Sequence, residues 1–388
     1  MDIYLSPWSL DRLLGLRYRV TSGPAVARIC RPRERCFIVS EEPPIPPQRQ
    51  WARYCVYALL KRGKPSLQAV SSLRKALQTI ATGRPVFFGL KDTEATTLQY
   101  VCIPCQRDTE HPLFLRLGDG SVLARLVGYS EKCREQSPLG NKFWIILEPL
   151  DSIEEIMKRI NNLKGKLLPN YYGYQRFGTR RPNTHLLGLA LLVRDPVSYL
   201  NEFLDSLYPD ESSKNKLCRL RRWRDCDSAL YESLLARRAR SLRDYVAGLS
   251  RKILSLYASA LQAYLFNLYL SLRIEEGYEL DEPIKGERGK RSTPLALVPG
   301  IGYRIGIDGE ARRILEYAIE SIGLSRNALE KPLPVIGNVK PYWRPVALLP
   351  KHLSVRIVGN RVVLSFGLGP GEYATIVLRE LVKIPDWL

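Results

Sequence analysis

Apolar residues fall in short runs over the first 150 positions of the chain. Cys36-Phe37-Ile38-Val39 and the run from Tyr54 to Leu60 read as strands, separated by a Pro-rich turn over 41–48. Leu67, Val70, Leu73, Leu77 and Ile80 recur at helical spacing, with Ser66 as the expected N-cap and Gly83 as the stop. Val86-Phe87-Phe88 is a short buried-strand signal that leads into Gly89-Leu90-Lys91-Asp92. Further strands are expected at 98–103 and 143–147, and 113–130 reads as a hairpin turning at Asp119-Gly120. Ser152 with Glu155 forms a capping-box pattern that starts a helix reaching about Ile160. Strands alternating with helices at this spacing predict a mixed α/β sheet.

From about 185 to 335 the period changes to that of helices, expected at 196–207, 226–247, 250–274 and 309–322. The segment 344–388 returns to strands. Val355 to Val358 and Val362 to Phe366 flank a Gly359-Asn360 turn; a bend with Gly367, Gly369 and Gly371 follows, then a short helix from Tyr373 to Leu381. The predicted class is α/β (α+β), a mixed-sheet core built from both chain ends, 1–180 and 339–388, with a mainly helical domain inserted at 181–338.

Charge narrows the function. Lys and Arg number 59 against 39 Asp and Glu, a net charge of +20. Such an excess points to a polyanion, nucleic acid first and a membrane surface second. Ten Lys or Arg lie between Lys214 and Arg243; smaller clusters are Lys285, Arg288, Lys290 and Arg291, and Arg176, Arg180 and Arg181. All lie in or beside the helical insert, so the insert is expected to grip phosphates. No uninterrupted run approaches the ~18 apolar residues of a membrane span, and the N-terminus carries no secretion pattern. A cytoplasmic monomer is expected. Cys102-Ile-Pro-Cys105 is a lone C-x-x-C without the second pair that a zinc site wants, and it sits in a strand rather than opening a helix, against a thioredoxin-like role. Two methionines and abundant Arg suggest a thermophile, in which intracellular disulfides occur.

Two segments carry chemistry. Phe88 to Gln99 places Asp92 after a buried strand at a Gly-containing turn, either an exposed carboxylate at a sheet end or a turn cap. Pro169-Asn170-Tyr171-Tyr172-Gly173-Tyr174-Gln175-Arg176-Phe177-Gly178 interleaves aromatics with Gly, Gln and Arg, either a surface for stacking a base or an aromatic-rich structural loop. Together they resemble the TruD family of pseudouridine synthases. Gly89, Lys91, Asp92, Ala95, Thr97 and Gln99 match its G-x-K-D-x-x-A-x-T-x-Q stretch. Asn170, Gly173, Gln175, Arg176, Phe177 and Gly178 match N-x-F-G-x-Q-R-F-G. Supporting likeness runs over Arg31 to Glu41, Leu60 to Gly63, Ser259 to Asn267 and Gly369 to Leu381. Departures are Arg31 for a usual Lys, Tyr172 for a usual Phe, and Thr93 for a usual basic residue.

The resemblance implies a pseudouridine synthase core with an inserted TRUD domain, and an isomerase acting on tRNA with no cofactor and no metal. It makes Asp92 the essential carboxylate and Arg31 the cation paired with it, and it puts Tyr172 against the flipped base; the hydroxyl, which the family's Phe lacks, gives Tyr172 the option of taking the C5 proton, as is proposed for a Tyr in other pseudouridine synthase families. Phe37 completes the aromatic pocket or belongs to the core. Lys91, Asn170 and Arg176 are the further substrate contacts, Arg176 being structural or phosphate-facing. None of His111, His185 and His352 is assigned a role. The implied target is uridine 13 in the D-arm, with uridine 35 of tyrosine tRNA as the alternative; an RNA-binding protein or chaperone without turnover is the competing class.

Overall fold

The computed structural model describes residues 3–43, 47–89, 91–133, 138–178, 181–193, 248–332 and 338–383, with Asp195, Ser198, Tyr199 and Glu202. They form two compact units: a sheet unit of 25–165 and 350–374, and a helical unit of 1–24, 166–349 and 375–388. These contact boundaries differ from those expected at 180/181 and 338/339, because both chain ends pack in the helical unit. The helices expected at 196–207 and 226–247, and the basic run from Lys214 to Arg243, lie outside the described residues.

The sheet unit is one mixed ten-stranded sheet. Its order runs Lys351–Val358, Arg361–Leu368, Gly140–Pro149, Phe37–Glu42, Thr96–Pro104, Tyr54–Arg62, Val122–Ser130 and Phe114–Leu117. Ala27–Ile29 pairs with Gly140–Pro149, and Val86–Phe87 with Thr96–Pro104. Strands from both ends of the chain thus share one sheet, as the sequence pattern predicted. The pairing of Phe37–Glu42 with Thr96–Pro104 is parallel; the other pairings in this sheet are antiparallel.

On one face, the Ser66–Ala76 helix lays Ala69, Val70 and Leu73 onto Tyr57, Leu59, Val101 and Ile103. Ser66 is not the N-cap of this helix; Pro65 is, and the Ser66 hydroxyl instead accepts from the Lys91 backbone N–H at 2.9 Å. Ser152 does cap the Ile153–Leu163 helix, accepting from the Glu155 N–H.

Among the described residues, three disulfides join Cys30 to Cys36, Cys55 to Cys105 and Cys102 to Cys133. The C-x-x-C pair therefore does not act as a pair. An odd spacing along an extended chain puts the two side chains on opposite faces, so Cys105 joins the core with Cys55 while Cys102 packs with Tyr54, Val56 and Cys133. His111 lies close to Cys55 and Cys105, whose sulfurs are bonded to each other.

The helical unit is built on Arg251–Glu275, which packs against Thr184–Leu192 and Gly309–Glu320. By length and composition this helix could cross a bilayer, but 72% of its apolar window is buried inside the protein, as in the core helix of a folded domain. At Gly188 the helices approach so closely that a Cβ would lie 2.6 Å from the Tyr257 carbonyl oxygen. The region is less helical than its sequence suggests: Arg288–Lys290, Thr293–Val298 and Tyr342–Pro345 form a three-stranded antiparallel sheet. Residues 288–290 form its exposed outer strand.

Buried charge ties the chain ends into this unit. The Arg379 guanidinium pairs with Asp11 (Nε to Oδ2 3.1 Å) and donates to the carbonyls of Leu16 and Tyr18, both at 2.8 Å. Asp11 also accepts from Ser6 Oγ at 2.6 Å and from the Tyr174 hydroxyl. Nearby, Glu380 accepts from the backbone N–H and the hydroxyl of Thr21. Removing one member of such a pair leaves the other charged and dry. Arg379→Met is therefore expected to lower the free energy of unfolding by about 3–5 kcal/mol. Arg361→Ala, which breaks an ion pair with Glu148 at the surface, should leave stability nearly unchanged. Denaturant titration of the two variants beside wild type checks both.

Candidate active site

Parallel pairing brings the two chemically loaded segments of the sheet unit together. Ile38 lies opposite Thr96 and Val39 opposite Thr97, so the turns that precede these strands emerge at the same end of the sheet. One turn carries Arg33 and the other Asp92. Arg33 Nη2 lies 2.5 Å from Asp92 Oδ2, and Arg33 Nη1 lies 3.5 Å from Glu94 Oε2. Thr96 Oγ1 donates to the Glu34 carbonyl at 2.6 Å and stitches the turns together.

The Asp92 turn is itself fixed. Gly89 takes φ +66°, a conformation that a side chain disfavours. The buried Gln99 amide donates to the Phe88 and Gly89 carbonyls, both at 3.0 Å. Asp92 Oδ1 accepts from the Glu94 N–H at 3.0 Å, so the turn-capping reading and the exposed-carboxylate reading hold at once. The Asp92 side chain remains 24% exposed, enough for a reactant to reach it.

The neighbouring strand Tyr54–Arg62 runs antiparallel, with Lys61 opposite Thr97, so its last residues reach the same end. There Lys61 Nζ donates to the Asp92 backbone carbonyl at 2.6 Å. Burial pushes the Lys61 ammonium down to about 8; nearby Asp92 partly opposes this shift and Lys91 adds to it. Lys91 Nζ pairs with Glu41 Oε1 at 3.0 Å and donates to Asn141 Oδ1 at 2.7 Å. Glu41 in turn accepts from the Tyr100 N–H.

Several sequence expectations change here. The cation on Asp92 is Arg33, not Arg31, which stands exposed two residues earlier. Phe37 belongs to the core: it packs edge-on against Phe143 at 6.2 Å, with the Arg33 guanidinium over its ring. Lys91 is held by Glu41 rather than offered to a phosphate. Asn141 was not anticipated as a site residue, and Arg33, Lys61 and Glu41 stood only within motif stretches.

The helical unit holds the other group. Tyr172 is buried, at 3% exposure. The Arg344 guanidinium lies over its ring at 4.1 Å from the centroid, and Phe266 meets it edge-on at 5.6 Å. Its hydroxyl hydrogen-bonds with that of Tyr342, and its backbone N–H donates to Asn267 Oδ1 at 2.7 Å. Asn170 fixes Arg344 by accepting through its carbonyl and its Oδ1, at 3.1 and 2.8 Å, and it donates to the Pro345 carbonyl. Asn170 therefore acts as a brace rather than as a surface contact. The Arg176 guanidinium sits 6.0 Å from the Tyr172 centroid. His185 is buried between Phe177 and Tyr264, and burial pushes its imidazole down to about 3. Arg344 and Tyr342 were missed, since no local pattern sets them apart from ordinary strand positions, and Asn267 stood only within a motif stretch.

The family model described as "tRNA pseudouridine synthase D (TruD)" matches residues 13–290 and 287–381. Among curated proteins, the chain is 31% identical to a probable tRNA pseudouridine synthase D from Pyrococcus abyssi, over 95% of this chain and 99% of the relative. It is 30% identical to one from Saccharolobus solfataricus, over 98% of each, and 28% identical to one from Pyrobaculum aerophilum, over 97% of each. The fold is similar to the crystal structure of a putative tRNA pseudouridine synthase D from Methanosarcina mazei, with a TM-score of 0.70 and 22% identity over 96% of this chain and 97% of that one.

The displaced Lys61 titration has a measurable consequence. Its ammonium releases a proton near 8 in the folded protein, against an ordinary 10.5. Between these values the unfolded chain binds more protons than the folded one, so stability rises with pH across that window and is flat on either side. Wild type is expected to gain stability relative to Lys61→Met as pH climbs from 8 to 10.5, and paired denaturant titrations at a series of pH values read the difference.

Proposed function

Since the chain belongs to the TruD family of tRNA pseudouridine synthases, we propose that it isomerises a uridine of tRNA to pseudouridine with Asp92 as the essential carboxylate. The observation that carries this reading is the setting of Asp92: a partly open carboxylate at a sheet end, paired with Arg33 and anchored through its own backbone by Lys61.

The reaction breaks the N1–C1′ bond, turns the uracil and joins C5 to C1′. The base leaves with the bonding electron pair and returns it through C5, which then gives up its proton to N1 or to solvent. Atoms and electrons balance within the nucleotide. A carboxylate at C1′ serves this chemistry whether it bonds to the sugar or faces its developing positive charge. Arg33 holds one oxygen of Asp92, and the Glu94 N–H holds the other. With both oxygens fixed, little reorganisation remains when a sugar arrives.

A base inside folded RNA must be turned out of its stack to reach such a group, at a cost of a few kcal/mol. Contacts to phosphate offset that cost. The net charge of +20 and the exposed outer strand Arg288–Lys290 suit a polyanion. Uridine 13 of the D-arm is the target we propose first.

Nucleotide-resolution mapping of pseudouridine in tRNA transcripts tests the reading. Wild type is expected to modify uridine 13, and Asp92→Ala to be slower by roughly 10³-fold or more with tRNA affinity retained. Modification at uridine 35 of tyrosine tRNA instead would keep the activity and move the target. Tight binding without modification by wild type would favour an RNA-binding protein without turnover. Because the Tyr172 hydroxyl is engaged by Tyr342, Tyr172→Phe is expected to hold kcat within about threefold, the scale of one lost hydrogen bond; a far larger loss in single-turnover assays would put the hydroxyl in the proton transfer.

A further inference from the structure

Arg33 reaches Asp92 from an unpromising piece of chain. The segment that presents it, Arg33–Cys36, is a single helical turn of four residues with no side-chain cap at Pro32. Isolated helices much shorter than about 12 residues are not stable in water, so local propensity does not hold this turn. The segment is also dense in like charge, with Arg31, Arg33 and Arg35 on alternate positions. Three hydrogen bonds help: Arg35 N–H to the Pro32 carbonyl at 3.0 Å, Phe37 N–H to the Arg33 carbonyl, and Thr96 Oγ1 to the Glu34 carbonyl. A further constraint is covalent. Cys30 and Cys36 are bonded, with Cα atoms 5.7 Å apart, and close a ring that contains Arg33. Both cysteines are buried, and each is anchored in the sheet. The Cys30 N–H donates to the Ile146 carbonyl, and Cys36 directly precedes the strand Phe37–Glu42.

We propose that the Cys30–Cys36 disulfide is a positioning brace for the active site, holding the loop that carries Arg33 so that its guanidinium stays on the Asp92 carboxylate. The inference rests on the functional reading of Asp92 and adds to it. The ring limits how far Arg33 can travel from the end of Phe37–Glu42, and the parallel register fixes where that end lies relative to Asp92. The Cys102–Cys133 ring holds no residue that touches Asp92, and the Cys55–Cys105 ring, which holds Asp92, Lys61 and Glu94, closes over a separation of 50 positions against 6 for Cys30–Cys36 and so constrains any one turn far less. A carboxylate misplaced by about an ångström can lose about two orders of magnitude in rate.

The test is a cycle of three variants: Cys30→Ala/Cys36→Ala, Arg33→Gln, and the triple combination. The cysteine pair is expected to lower kcat roughly 10- to 100-fold with KM for tRNA unchanged. Arg33→Gln should do the same, and the triple variant should fall no further than Arg33→Gln alone, because the brace acts through that residue. A cysteine variant with wild-type kcat overturns the proposal, as do losses that multiply in the triple variant or a loss confined to KM. Peptide mapping of active wild type without reductant must find Cys30 linked to Cys36; free thiols there also overturn it.

Should the cysteine variant not fold, wild type is opened with dithiothreitol. The S–S bond takes two electrons and two protons to give two thiols while the dithiol closes to a disulfide. Activity must fall in step with the fraction of molecules opened at Cys30–Cys36, and an unchanged rate at full opening overturns the brace. Wild type that makes no pseudouridine sinks the functional reading and the brace with it, whereas an active wild type with a failed cycle sinks the brace alone.

Discussion

The parallel pairing of Phe37–Glu42 with Thr96–Pro104 is the constraint on which the candidate site depends. In a parallel pair both strands begin at the same end of the sheet, so the turns leading into them are neighbours. Had these strands paired antiparallel, the turn before one would face the far end of the other. A nine-residue strand at about 3.3 Å per residue would then put Arg33 and Asp92 some 30 Å apart. The antiparallel strand on the other side works in the complementary sense. Tyr54–Arg62 ends where its parallel neighbours begin, and its penultimate residue, Lys61, arrives beneath the Asp92 carbonyl. One parallel and one antiparallel pairing thus collect a carboxylate and two cations from residues 33, 61 and 92.

How much of this could be read from the sequence depended on whether the information was local. Asp92 was legible because its motif is a turn, and each part of the turn has a nearby role: Gly89 supplies the positive φ, Gln99 ties down two carbonyls, and Asp92 caps the Glu94 N–H. The capped helix after Ser152, the strand pattern and the sharing of one sheet by both chain ends were legible for the same reason. The partner of Asp92 was not. Arg31 and Arg33 sit in one basic loop, and which of them faces the carboxylate is settled by the helical turn that opens at Arg33 and by the strand register, neither of which spacing alone reveals. Ser66 was misread as a cap because a hydroxyl at a helix start has two uses; here it serves the backbone of Lys91, 25 positions away. The partners of Cys102 and Cys105 were not legible, because C-x-x-C on an extended chain points to two faces and each cysteine meets one distant in sequence.

The aromatic stretch of the helical unit shows a different limit. Interleaved aromatic and basic residues look the same in sequence whether the rings await a base or already face a cation. In the structure the Tyr172 ring faces Arg344, and that guanidinium is held in place by the main chain and side chain of Asn170. Such an arrangement resists rearrangement, since moving Arg344 would strip a buried charge of several acceptors at once. The Asn of the motif and an arginine more than 170 positions later therefore form one structural element. A ring fixed so firmly contributes shape and rigidity first, and any contact with a nucleotide must use the surface that this packing leaves.

Lys61 shows what holding Asp92 costs. Its buried ammonium meets a carbonyl oxygen rather than a carboxylate, and burial outweighs the attraction of nearby Asp92, so the charge is kept at a cost to stability at neutral pH. An apolar side chain at position 61 would relieve that cost, so stability alone does not explain a lysine there. What the lysine does is bind the backbone of the Asp92 turn and leave both carboxylate oxygens of Asp92 to other donors, Arg33 on one side and the Glu94 N–H on the other. Proteins commonly give up stability where a reactive group must be held in one place. The loss here falls on a residue one hydrogen bond removed from the candidate carboxylate, which is where a positioning role would put it.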